Sequence, residues 1–91
     1  MAEFLVELYM SRTEPLAAEQ GAARARLVAE QLTREGTPVR CLRSIFVPED
    51  ETCFYLYEAA SADDVRVAAE RAGLPFERVA EAMTTPMREP Q

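Results

Sequence analysis

Apolar and polar positions change period several times along the chain, and each change marks an element. Over residues 3–10, Phe4, Val6, Leu8 and Met10 fall on one side and Leu5, Glu7 and Tyr9 on the other. That period of two predicts a strand. From residue 14 the period lengthens: Ala17, Gly21, Ala25, Val28, Ala29 and Leu32 make one stripe of a helix over 14–35. Thr13 is the expected cap, with Glu14 and Pro15 in the first turn, and Gly36 and Pro38 end the helix. A second strand is expected over 39–47 and a third, dense in aromatics, over 52–59. The short Pro48–Glu51 connection makes them an antiparallel hairpin. Ser61, with Asp64 three residues on, opens a second helix whose stripe is Val65, Ala68, Ala69 and Ala72. Gly73 and Pro75 then end it.

The chain reads as two strand–helix–strand halves, 3–47 and 52–83. Gly36-Thr37-Pro38 and Gly73-Leu74-Pro75 close the two helices alike. The half-repeat calls for a fourth strand over 76–84, although Phe76, Val79, Ala80 and Met83 also fit helical spacing. The fold class is therefore α+β: a ferredoxin-like βαββαβ order, with a four-stranded antiparallel sheet and two helices on one face. Residues 1–85 are expected to form a single domain and residues 86–91, with two prolines, a mobile tail.

In this arrangement the other sheet face lacks a cover. The first strand would show Leu5, Glu7 and Tyr9 there. Of the two sets on the third strand, Phe54, Leu56 and Glu58 look the more apolar and are expected against the helices, which puts Cys53, Tyr55 and Tyr57 on the open face. The second strand adds either Cys41, Arg43 and Ile45 or Leu42, Ser44 and Phe46, according to whether the hairpin loop has four residues or five. A face this aromatic predicts association: a sheet-to-sheet homodimer, the dimeric α+β barrel. Glu7, Tyr9, Arg43, Tyr55 and Tyr57 are the candidate ligand-binding residues of an intersheet cavity. The plainer reading is that they pack the dimer, with the Tyr hydroxyls satisfied by neighbours.

Composition narrows the chemistry. The chain has 91 residues and a net charge of −6, and all ten basic residues are Arg. An acidic domain with scattered arginines lacks the cationic surface that nucleic acid or an anionic membrane requires. No apolar run spans a bilayer and no secretory signal pattern opens the chain, so the expected location is cytoplasmic. With no His, imidazole-based triads and imidazole metal sites are excluded. Cys41 and Cys53 are too far apart on a hairpin for a disulfide, opposite Glu58 or Ala59 being the expected place of Cys41. Asp50, Glu51 and Cys53 are the weak candidates for a metal, since neighbours on a strand point to opposite faces. The first helix carries Arg26–Glu30 and Glu30–Arg34 at i,i+4, the spacing of a solvated, ion-paired face.

The run Arg43-Ser-Ile-Phe-Val-Pro-Glu-Asp-Glu-Thr-Cys-Phe54, the segment Ser61-Ala-Asp-Asp-Val65, the stretch Ala72-Gly-Leu-Pro-Phe-Glu-Arg-Val79 and the opening Phe4, Val6, Glu7 and Tyr9 resemble a family of small bacterial proteins of uncharacterised function, often labelled nickel-binding or nickel-responsive. The resemblance covers residues 3–83 and implies a ferredoxin-like fold, a dimer and nickel as a cofactor. Nickel sites commonly use imidazole. No such ligand can be carried onto this chain, and a site here would draw on carboxylates, thiolate or backbone. Two functions follow: a dimeric accessory protein that binds a small ligand or a metal, or a cofactor-free enzyme of monooxygenase, isomerase or cyclase type working in the intersheet cavity.

Overall fold

The computed structural model describes residues 1–87; residues 88–91, most of the expected tail, lie outside the described residues. The element order is β1 (Ala2–Tyr9), α1 (Pro15–Arg34), β2 (Val39–Val47), a single 3-10 turn (Pro48–Asp50), β3 (Thr52–Ala59), α2 (Ala62–Arg71) and β4 (Arg78–Ala82). All pairings are antiparallel, in the order β2-β3-β1-β4. This is the ferredoxin-like fold that the half-repeat predicts. At β4 the strand wins over the local helical spacing, because β1 offers an open ladder on which Val79 pairs with Val6 and Ala80 with Leu5.

Both helices end in the same way. Gly36 and Gly73 have φ of +104° and +72°. Beyond each, one amide reaches back to the carbonyl five residues earlier, Thr37 to Leu32 at 2.9 Å and Leu74 to Ala69 at 3.0 Å. These are Schellman closures, which a glycine adopts without a Cβ penalty. The N-termini differ. The Ser61 hydroxyl accepts from the Asp64 amide at 3.2 Å. Thr13, in contrast, does not cap α1: Glu14 holds the cap position without a side-chain hydrogen bond, and Pro15 begins the helix. Proline at that place needs no N–H partner, so the start is set by its fixed φ.

The core lies between the helices and one face of the sheet. Phe4, Val6 and Leu8 line it from β1 as expected. The third strand is turned the other way from the expectation. Cys53, Tyr55 and Tyr57 are fully buried toward the helices, and register places them beside Leu8, Val6 and Phe4. Phe54, Leu56 and Glu58 take the open face. The reason is volume. The helices present Ala18, Gly21, Ala25, Ala29, Ala68 and Ala69 to the sheet, and such a small-residue surface leaves space that two tyrosine rings fill and shorter side chains would not. Counting apolar character alone misses this complementarity.

Candidate functional site

The second strand decides what the open face carries. The hairpin loop has four residues, since Val47 pairs with Thr52. That register would put Cys41 opposite Glu58, but the ladder shifts between Cys41 and Arg43. Leu42 is the extra residue of this bulge, and Cys41 lies opposite Tyr57 instead. A bulge reverses the alternation of faces beyond it. Arg43 and Ile45 therefore share the open face with Leu56 and Phe54, while Cys41 shares the inner side with Tyr57.

Of the five expected ligand-binding residues, Glu7, Tyr9 and Arg43 lie on the open face. Tyr55 and Tyr57 do not: both have zero exposure within the core. The three that share the face are not gathered at one point. Arg43 and Glu7 stand two strands apart and two residues offset along the sheet, about 12 Å at ordinary strand spacing and rise, with Phe54 and Leu56 between them. Glu7 and Tyr9 each have a neighbour of their own. Glu7 lies 3.9 Å from Arg78, and the Tyr9 hydroxyl donates to Glu51 at 3.3 Å. A groove of about 750 Å³ runs over this face, lined by Leu5, Arg43, Ile45 and Leu56 and bounded on one side by residues 82–87. The Thr84 hydroxyl hydrogen-bonds the Glu3 carboxylate and holds that segment against β1.

Among the weak metal candidates, Glu51 is already engaged. Its carboxylate accepts the Arg12 amide at 3.0 Å and the Tyr9 hydroxyl at 3.3 Å, and its own carbonyl accepts the Met10 amide at 2.9 Å. The Arg12 amide, more than any other partner, holds the Glu51 carboxyl below its usual range. Glu51 also stands at φ +48°. It is a latch that fastens the loop after β1 to the hairpin apex. Cys53 points into the core, away from Asp50 and Glu51 at the turn. Among the described residues no three His, Cys, Asp or Glu side chains gather as a metal would need. The latch could have been sought in the sequence only as an acid next to a strand start, a signal too common to be informative.

Both cysteines are free. They lie on the same side of the hairpin but four residues apart along the ladder, about 13 Å. Burial pushes the Cys41 thiol up to about 11, against the opposing pull of Arg26. Burial also raises Cys53, Tyr55 and Tyr57. The Tyr55 hydroxyl donates to the Ala18 carbonyl at 3.5 Å, whereas the buried Tyr57 hydroxyl has no partner among the described residues. The ion pairs expected along α1 do not form. Neither Arg26 nor Arg34 comes within 4 Å of Glu30 among the described residues, and Glu35 pairs with Arg71 of α2 at 3.0 Å instead.

Among the described residues no helix is long and apolar enough to cross a membrane. No curated protein matches the sequence. The structure is similar to the crystal structure of SCO4226 from Streptomyces coelicolor A3(2), with a TM-score of 0.77 and 21% identity over 93% of this chain and 100% of that one. At that identity the likeness speaks for the fold. Residues 4–82 match the family described as nickel responsive protein SCO4226-like. This match takes in every strand and both helices but for the first residues of β1, and the chain belongs to the SCO4226-like family.

Proposed function

We propose that the chain is a small homodimeric accessory protein that binds a small ligand, with a second copy covering the open sheet face. The observation that carries this reading is the face itself. Leu5, Phe54 and Leu56 are partly buried and Ile45 is 46% exposed, in a patch around a groove of about 750 Å³. Water is a poor partner for such a patch, and a second sheet a good one. Glu7, Tyr9 and Arg43 would then line the space between the sheets as polar groups that orient a ligand. Binding is favoured over catalysis because Glu7 faces Arg78 and Tyr9 donates to Glu51, so neither is poised beside Arg43 to move a proton.

The family's description speaks of nickel, and the donors of one chain do not fit that ion. The chain has no His, Cys53 is buried in the core while Cys41 stands apart from it at a groove between α1 and β2, both thiols raised by burial, and among the described residues no three candidate donors converge. An organic ligand therefore suits this member better than a resident metal.

Native mass spectrometry of untagged protein, alone and with Ni²⁺ added, tests the proposal. A dimer that takes up no stoichiometric nickel is the expected result, and a retained small-molecule mass would identify the ligand. A monomer at tens of micromolar overturns the dimer, and one nickel per chain overturns the choice of ligand.

A further inference from the structure

A second concave site lies away from the open face, between α1 and β2 on the helix side of the sheet. It is a groove of about 450 Å³ lined by Arg26, Glu30, Thr33, Arg34, Arg40 and Cys41, with Val39 and Ala29 as its apolar floor. A smaller hollow of about 210 Å³ continues from it and shares Arg26 and Cys41. Three of the ten arginines of a chain with net charge −6 thus border one groove. Among the described residues one carboxylate, Glu30, joins them. Arg40 lies 3.6 Å from Glu58 on the open face, but among the described residues neither Arg26 nor Arg34 has a carboxylate within 4 Å.

Two features of the fold converge on the same place. The bulge at Leu42 turns Cys41 into the groove, when regular alternation would have left it on the open face with Arg43. Helical rise sets Arg26 and Arg34 about 12 Å apart along α1, a span that two extended guanidinium arms close from either end.

We propose that this groove binds a small oxyanion, a carboxylate or phosphate group, held by the guanidinium forks of Arg26 and Arg34 beside Cys41. Guanidinium meets both kinds of oxyanion through paired N–H donors. The Glu30 carboxylate opposes the anion and sets its affinity. The neutral thiol suits a binding wall and not a nucleophile, so no covalent step is involved. The site is independent of the sheet face, and it stands whether or not the protein dimerises.

The test is a titration of the full chain with inorganic phosphate and with succinate, followed by NMR of the backbone amides and arginine Nε–H groups. Sodium chloride at matched ionic strength is the control. Saturable shifts at Arg26, Arg34, Val39 and Cys41 with either anion support the site, and the anion that saturates at lower concentration names the ligand class. Arg26→Gln should weaken binding by about tenfold or more, and Glu30→Gln should strengthen it. Both positions are exposed, so the variants should fold. Equal shifts with chloride, no saturable response to either anion, or unchanged affinity in Arg26→Gln would each overturn the proposal.

Discussion

The Tyr55 hydroxyl occupies the space that a side chain at Gly21 would need: a Cβ added there would overlap its oxygen and lie 3.4 Å from its ring carbon Cζ. Helix α1 approaches β3 this closely because position 21 carries no side chain. Glycine inside a helix ordinarily costs about 1 kcal/mol relative to alanine, so the close approach outweighs propensity here. Gly21→Ala should lower stability by about 1–3 kcal/mol, the usual range for overpacking. Urea unfolding of Gly21→Ala, Tyr55→Phe and the double variant would measure it. Removing the hydroxyl should restore much of the loss, because the remaining contact is tight without overlapping. Additive losses would show that the pair is not coupled.

The two core tyrosines should respond differently to loss of the hydroxyl. Among the described residues the Tyr57 hydroxyl has no hydrogen-bond partner, so Tyr57→Phe removes an unsatisfied buried group and should leave stability unchanged or raise it by about 1 kcal/mol. Tyr55→Phe gives up the bond to the Ala18 carbonyl and should be neutral or slightly destabilising. Thermal melts of the two variants side by side provide the comparison.

Neighbouring residues of β3 should separate the two sheet faces. Leu56→Asp puts a charge on the open face. If that face is covered by a second copy, it should weaken the dimer by about a hundredfold or more, the consequence of an unpaired charge at a buried contact, while the monomer stays folded. Tyr57→Asp puts the charge in the core and should unfold the chain. Sedimentation velocity with circular dichroism distinguishes these outcomes. A Leu56→Asp protein that sediments like the parent would remove the sheet-to-sheet dimer.

Acid should loosen the loop after β1 before it unfolds the sheet. The Glu51 carboxyl is held below its ordinary value of 4.5 by the Arg12 amide first and by Tyr9 and Arg12 after it. A carboxylate depressed on folding contributes stability above its unfolded pKa and loses it as pH falls through the folded one. The protection factors of the Met10 and Arg12 amides, with intrinsic exchange rates divided out, should therefore fall below the ordinary carboxylate range. In Glu51→Gln the same amides should already have low protection factors at neutral pH, with little further change in acid.

Base should act through Cys41. Its thiol is raised from 9.0 to about 11, so the folded chain keeps a proton that the unfolded chain has lost. That favours folding below about pH 9 and is given up as pH rises toward 11. Cys41→Ser should flatten the fall in stability across this window. Alkylation of the native thiol at pH 8 should be slow and should rise to the rate of an ordinary cysteine in urea.

Local patterning alone determined the elements and their order. The period of two in β1, the period of three to four in α1 and α2, and the matching glycine closures at 36 and 73 depend on backbone geometry within a few residues. Such signals survive without tertiary context. The half-repeat also led to β4, where pairing with β1 overrides a helical spacing.

The inner and outer faces of β3 were decided only in three dimensions. Choosing between Phe54-Leu56-Glu58 and Cys53-Tyr55-Tyr57 required the shape of the helix surface opposite, and Gly21 with its alanine neighbours made room for the tyrosines. The bulge at Leu42 was equally beyond reach, since one extra residue on an edge strand leaves no mark in the pattern of a single strand. It sends Cys41 and Arg43 to opposite sides of the sheet. The free arginines of the α1 groove and the Glu51 latch arise in the same way, from contacts between residues far apart in sequence, which close packing selects and local propensity does not encode.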